Sequence, residues 1–173
     1  MLIEPGYGET PLDPDEAAAL TPQARTTFGD EPTKFDLYEA EQAISDEVSL
    51  ALFADIAAGK LTVDDLLTDA FLRELHFKLY GDLWTWAGRY RTRDLNIGVP
   101  SQQIAVELRS SLDTIRYRWG GHTDDWTPRE LGIAAHAETV RIHSFVDGNG
   151  RSTPASGPRL LRRSRHGISS RGI

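Results

Sequence analysis

His143, Asp147, Gly148, Asn149, Gly150 and Arg151 fall within nine positions of one another, and their types suit chemistry on a phosphate. An imidazole can take the proton of an incoming hydroxyl. The Asp147 carboxylate can hold a hard cation such as magnesium, which binds oxygen and shares its ligands with phosphates. Glycines on both sides of Asn149 let the backbone turn tightly and aim its N–H groups at one point. A helix starting just afterwards would turn its unpaired N–H groups and positive dipole end to the same point. Arg151 can clamp phosphate oxygens with its planar fork. The run therefore describes a phosphate cradle with a base at one lip. An EF-hand reading of Asp147-Gly148-Asn149-Gly150 fails. Counted from Asp147, the position that needs glycine holds Ser152, and the one that needs glutamate holds Pro158. His136 and His143 lie two helical turns apart and can in principle share a metal, but no third ligand is suggested.

The preceding elements must deliver this run. Thr127-Pro128-Arg129-Glu130 is a capping box with proline at the first helical position. The helix it opens buries Leu131, Ala134, Ala135 and Ile142 and ends near Ile142, directly before His143. An earlier helix, with Ser101 as its expected cap, carries the stripe Ile104, Leu108, Leu112, Ile115 and Trp119 and stops at Gly120-Gly121. Two more helical regions are predicted, from Phe35 to about Ala58 and from Thr62 to Tyr80. In the second, His76 lies beside the face of Leu72, Leu75 and Leu79 and reads as a core histidine. Helical spacing fails from Leu83 to Gly98. That stretch reads as a turn anchored by Trp84 and Trp86, followed by a hairpin with a polar tip. Residues 1–34, rich in Pro, Gly and Thr, read as an extended arm with one short helix capped by Asp13.

A chain of 173 residues is long enough for one domain with a real core. No run approaches the ~20 apolar residues of a membrane helix, and the opening Met1-Leu2-Ile3-Glu4-Pro5 has no basic leader. The absence of cysteine removes disulfides and thiolate metal sites. A cytoplasmic protein without membrane association is the expectation. Net charge is −7, unevenly spread. Residues 151–173 hold six of the 19 basic side chains and no acid, which leaves 13 basic and 26 acidic side chains in the first 150 residues. An acidic body argues against broad nucleic-acid binding.

The motif resembles that of Fic-domain proteins, His-x-Phe-x-(Asp/Glu)-Gly-Asn-Gly-Arg-x-x-Arg. His143 through Arg151 match each specified position, and Pro154 stands where the second arginine is due. Trp86-Ala87-Gly88-Arg89-Tyr90-Arg91 is similar to the run that precedes the family's flap hairpin. Gly8 to Glu16 and Asn96 to Pro100 resemble the subgroup called mobile mystery protein B. The resemblance implies an all-α, Fic-type helical bundle with a small β-hairpin flap. It divides the chain into an arm (1–34), a helical core (35–153) and an aberrant basic tail (154–173). It implies AMP transfer from ATP, with Mg²⁺, to a Ser, Thr or Tyr hydroxyl of a target protein. His143 is then the catalytic base, Asp147 the metal ligand, and Gly148, Asn149, Gly150 and Arg151 the phosphate-binding residues. Arg93, Asn96, Ile97 and Gly98 belong to the target-binding flap. The family's inhibitory pattern is absent: its nearest approach, Thr27 to Pro32, ends on the wrong residue. A separate antitoxin or regulatory partner is compatible with the family. The rival reading is a catalytically dead nucleotide- or protein-binding module of a toxin–antitoxin-like or mobile-element system. Composition changes abruptly after Thr153, and Gly157 and Pro158 would break a helix there. Codons for Pro154 to Pro158 can be chosen so that removing one leading base gives Arg-Leu-Leu-Ala. A reading-frame shift that removes the fold's C-terminal helices is therefore expected.

Overall fold

The computed structural model describes residues 10–29, 31–122 and 126–150. The expectations placed on Arg151 and on the tail from Pro154 lie outside the described residues. Within them the chain forms α1 (Pro14–Ala18), α2 (Pro22–Phe28), α3 (Lys34–Ala57), α4 (Val63–Leu66), α5 (Asp69–Tyr80), α6 (Ile104–Tyr117) and α7 (Pro128–Ile142). No sheet occurs among the described residues, only the isolated bridges Pro11–Thr33 and Leu20–Trp84. The fold is all-α.

Apolar stripes explain how the helices pack. Leu72, Leu75 and Leu79 of α5 meet Ile104, Leu108, Leu112 and Ile115 of α6, with Leu131, Ala135 and Ile142 of α7 closing the same core. Each leucine or isoleucine among them contributes roughly 1.5–3 kcal/mol when fully buried. α6 packs on α7 and on α5, and α5 packs on α3. Helix starts are fixed by side chains. Thr127 Oγ1 accepts the Glu130 N–H at 3.3 Å, and Glu130 Oε2 accepts the Thr127 N–H at 2.7 Å, so the expected capping box forms. Asp13 and Glu16 cap α1 in the same reciprocal way.

Four expectations change. The helical region from Thr62 to Tyr80 is two helices, because Thr68 Oγ1 accepts the Phe71 N–H at 3.1 Å and donates to the Asp65 carbonyl at 2.9 Å, which starts a new helix in mid-run. Ser101 does not cap α6: it begins a short 3-10 turn, and its own N–H donates to Asp94 Oδ1 at 2.6 Å. The opening region carries α2 as well as α1, and Leu20 and Ala24 are buried in the core. Backbone bonds tie it down: Thr21 N–H to the Leu83 carbonyl and Thr85 N–H to the Ala19 carbonyl, both 2.9 Å. Finally, residues 91–98 form no strand pair. They bend around the Arg91 guanidinium, which binds carbonyls that a hairpin ladder would use.

Candidate active site

α7 ends at Ile142 and hands the chain to His143, which adopts the left-handed conformation with φ 55° and ψ 62°. A helix normally leaves its last carbonyls unpaired. Here the loop from Arg91 to Val99 takes three in succession. The Val99 N–H donates to the Ile142 carbonyl at 3.2 Å and the Arg91 N–H to the Ser144 carbonyl at 3.0 Å. Between them, Arg91 Nε donates to the His143 carbonyl at 2.7 Å. The Arg91 side chain is buried, and its remaining nitrogens donate to the carbonyls of Arg93 and Val99, with Asp94 Oδ1 at 3.9 Å. A left-handed residue that is not glycine is strained by about 1–2 kcal/mol, and this clamp fixes it. His143 is thus the residue at which the chain leaves the helix, while His136 stays within α7.

Beyond His143 the chain forms a closed loop. Asn149 is buried; its Oδ1 accepts the Phe145 N–H and its Nδ2 donates to the Phe145 carbonyl, both at 2.8 Å. These two bonds close the loop on itself. Phe145 turns into the core and stacks on His76 with ring centroids 3.7 Å apart. His76, fully buried, bonds the Gly88 N–H through Nδ1 at 2.9 Å and faces the Asp147 carbonyl through Nε2 at 3.0 Å. Gly148 has φ 73°, and a Cβ there would lie 2.6 Å from the Tyr80 ring. Its N–H donates to Asp147 Oδ1 at 2.6 Å. Gly150 is exposed next to it. Arg151 lies outside the described residues.

Asp147 and Val146 are exposed at the loop's outer edge. They border a cleft of about 830 Å³ whose wall includes Leu37, Tyr38, Trp84, Trp86 and Arg93. Among the described residues, no group of three or more His, Cys, Asp or Glu side chains gathers to hold a metal alone. An exposed single carboxylate nevertheless fits a magnesium ion that arrives on a nucleotide, since that ion keeps waters and takes one or two carboxylates plus phosphate oxygens. Of the flap residues, Arg93, Asn96, Ile97 and Gly98 are all exposed. Gly98 is nonetheless pressed against His143: a Cβ there would sit 2.6 Å from His143 Cβ. The sequence did not single out Arg91 as a clamp or His76 as a bridge, because both roles depend on contacts far apart in the chain. A histidine on an otherwise apolar helical face was the only local signal for His76.

Burial holds the His143 imidazole below its ordinary 6.5; the Arg91 guanidinium lowers it further, and Asp147 opposes both. The balance favours the neutral ring, the form able to accept a proton. Burial also pushes His76 from 6.5 down to about 4, with the Asp147 carbonyl and charge opposing.

Two measurements follow from this geometry. Gly98→Ala combines a positive φ with contacts to His143 and Arg91 and should lose about 1–3 kcal/mol of stability, read from urea unfolding. An unchanged midpoint would show that the loop does not press on His143. For His76 the unfolded chain takes its proton first, so its contribution is complete above pH 6.5 and declines as pH falls towards 4. The loss should reach about 3 kcal/mol and should be missing from His76→Gln. Equal pH dependence in the two chains would exclude a buried neutral imidazole.

A model of the Fic/DOC family matches residues 66–157, more than half of the chain. The structure is similar to that of a Fic family protein from Desulfovibrio desulfuricans G20, with 18% sequence identity and a TM-score of 0.48, over 72% of this chain and 37% of that one. The chain thus spans little more than a third of that protein's length. The matched residues run from the end of α4 through His76, Arg91 and the whole loop from His143 to Gly150, and the chain belongs to the Fic/DOC family.

Proposed function

We propose that the chain is a nucleotidyltransferase that moves AMP from ATP to a Ser, Thr or Tyr hydroxyl of a protein. The observation that carries this reading is His143: a partly exposed imidazole held at a helix end beside an exposed carboxylate, with burial favouring its neutral form. In the proposed step, His143 takes the hydroxyl proton as the hydroxyl oxygen bonds to the α-phosphorus and pyrophosphate leaves. A magnesium ion, when bound with the nucleotide, would neutralise phosphate charge; Asp147 would hold it. The backbone of Gly148 to Gly150 and the Arg151 side chain would stabilise charge on the phosphates. Arg93, Asn96, Ile97 and Gly98 would present the target segment over His143 by backbone pairing. The acidic body disfavours nucleic acid as the target. We also assign the chain to the mobile mystery protein B subgroup, with an antitoxin or regulatory protein as a further partner.

Pro154, where the family has its second arginine, favours a second reading: a nucleotide- or protein-binding module without chemistry. We attribute Pro154 and the basic tail to a reading-frame shift after Thr153. A shifted frame in the gene that encodes arginine and then an apolar helical run is the expected finding; without one, Pro154 is a genuine departure.

Incorporation of labelled AMP into the chain itself or into lysate proteins tests the main reading. His143→Ala should lower transfer by roughly 10²–10⁴-fold while leaving nucleotide binding in place. The acid limb of the wild-type rate should fall below pH 6.5, in line with the depressed His143. Full transfer by His143→Ala would remove the base assignment. Nucleotide binding without transfer in either chain would favour the second reading.

A further inference from the structure

We propose that His76 is a positioning residue for Asp147: through the single peptide plane between Asp147 and Gly148, it sets the direction of the carboxylate that the loop offers to a cation. This rests on the reading of the loop as a phosphate and cation site.

His76 lies on α5, 71 positions from Asp147 in the chain, with no exposure to solvent. Phe145 stacks on its ring, and Tyr80 and Trp86 lie at centroid distances of 4.9 and 5.6 Å. The ring cannot rotate freely, and both its nitrogens meet backbone. A backbone N–H only donates, so Nδ1, which receives the Gly88 N–H, carries no hydrogen. A carbonyl only accepts, so Nε2, which faces the Asp147 oxygen, carries one. The hydrogen-bond network thus assigns one neutral tautomer.

The consequence passes through the next peptide. The chain has no cis bond among its described residues, and a trans peptide sends its N–H away from its C=O. With the Asp147 carbonyl drawn to His76, the Gly148 N–H leaves on the far side. There it donates to Asp147 Oδ1 at 2.6 Å. A peptide followed by glycine is easily turned over, because glycine accepts both signs of φ. His76 removes that freedom. The chain of bonds runs from the Gly88 N–H through the imidazole and one peptide to the carboxylate. Outer hydrogen bonds of this kind orient a metal's ligands and tune its affinity.

Nuclear magnetic resonance on the full chain tests this directly. At neutral pH the wild-type His76 ring should show a bare Nδ1 and a protonated Nε2; the opposite tautomer would overturn the proposal. The Gly148 amide resonance should move in His76→Leu and stay near its wild-type position in His76→Gln, whose amide offers one acceptor and one donor. A folded leucine variant with an unmoved Gly148 amide would overturn the proposal. If the leucine variant does not fold, the wild-type tautomer and the glutamine variant decide, and a displaced Gly148 amide in folded His76→Gln also counts against it. ATP with Mg²⁺ should bind about tenfold more weakly to His76→Leu than to wild type, with affinity restored in His76→Gln. Absence of binding by the wild type would overturn only the phosphate reading of the loop, while the Gly148 response would still decide the role of His76.

Discussion

Three consecutive backbone carbonyls, those of Ile142, His143 and Ser144, are held by one loop, and the site depends on that grip. A helix end is a place where polar groups lack partners. A strained left-handed residue placed there would relax if nothing opposed it. Arg91 supplies the opposition. Its guanidinium is buried and needs acceptors, since an unsolvated charge inside a protein is expensive. The acceptors it finds are carbonyls on both sides of the gap, from the loop that contains Arg93 and Val99 and from the turn that contains His143. The same charge also disfavours protonation of His143. One side chain therefore holds the turn at His143 and adds to the effect of burial in disfavouring protonation of its ring.

The loop's shape follows from this. A hairpin would have satisfied its own carbonyls along a ladder. Here Arg91 occupies two of them and Asp94 takes the Ser101 N–H, so the segment is organised by side chains. On the opposite side, Trp84 Nε1 donates to Glu41 Oε1 at 2.9 Å, which ties the tryptophan turn to α3. The opening helices close over that same turn through Thr21 and Thr85. The site is thus supported from two directions by segments remote from it in sequence.

Local signals were readable where the responsible residues are neighbours. The Thr127–Glu130 and Asp13–Glu16 boxes, the stripe of α6 and the end of α7 at Ile142 all follow from spacings of three and four. The break between α4 and α5 carried a readable signal too, since Thr68-Asp69 has the character of a helix start. It was masked by an apolar periodicity that continues across it. Thr21-Pro22 opens α2 by the same logic as Thr127-Pro128, but two threonines and a glycine soon afterwards make the stretch read as extended. The motif itself was legible as chemistry. The turn of the Asn149 amide into the loop, the clamp at Arg91 and the bridge at His76 were not, because each is decided by a partner that only tertiary folding brings near.

Asn149 is followed by glycine, the pairing in which a backbone nitrogen most readily attacks the side-chain amide carbon and releases ammonia. In this loop the amide is pinned at both ends to Phe145 and buried, so rotating it for the attack would break both bonds. The product of such ageing would be an acid. A carboxylate there would set an acceptor against the Phe145 carbonyl, where the loop now has a donor. The bonds that close the loop are therefore also its chemical shelter: the folded chain protects the dipeptide, and any excursion that opens the loop exposes it to a change that prevents the loop from closing the same way again.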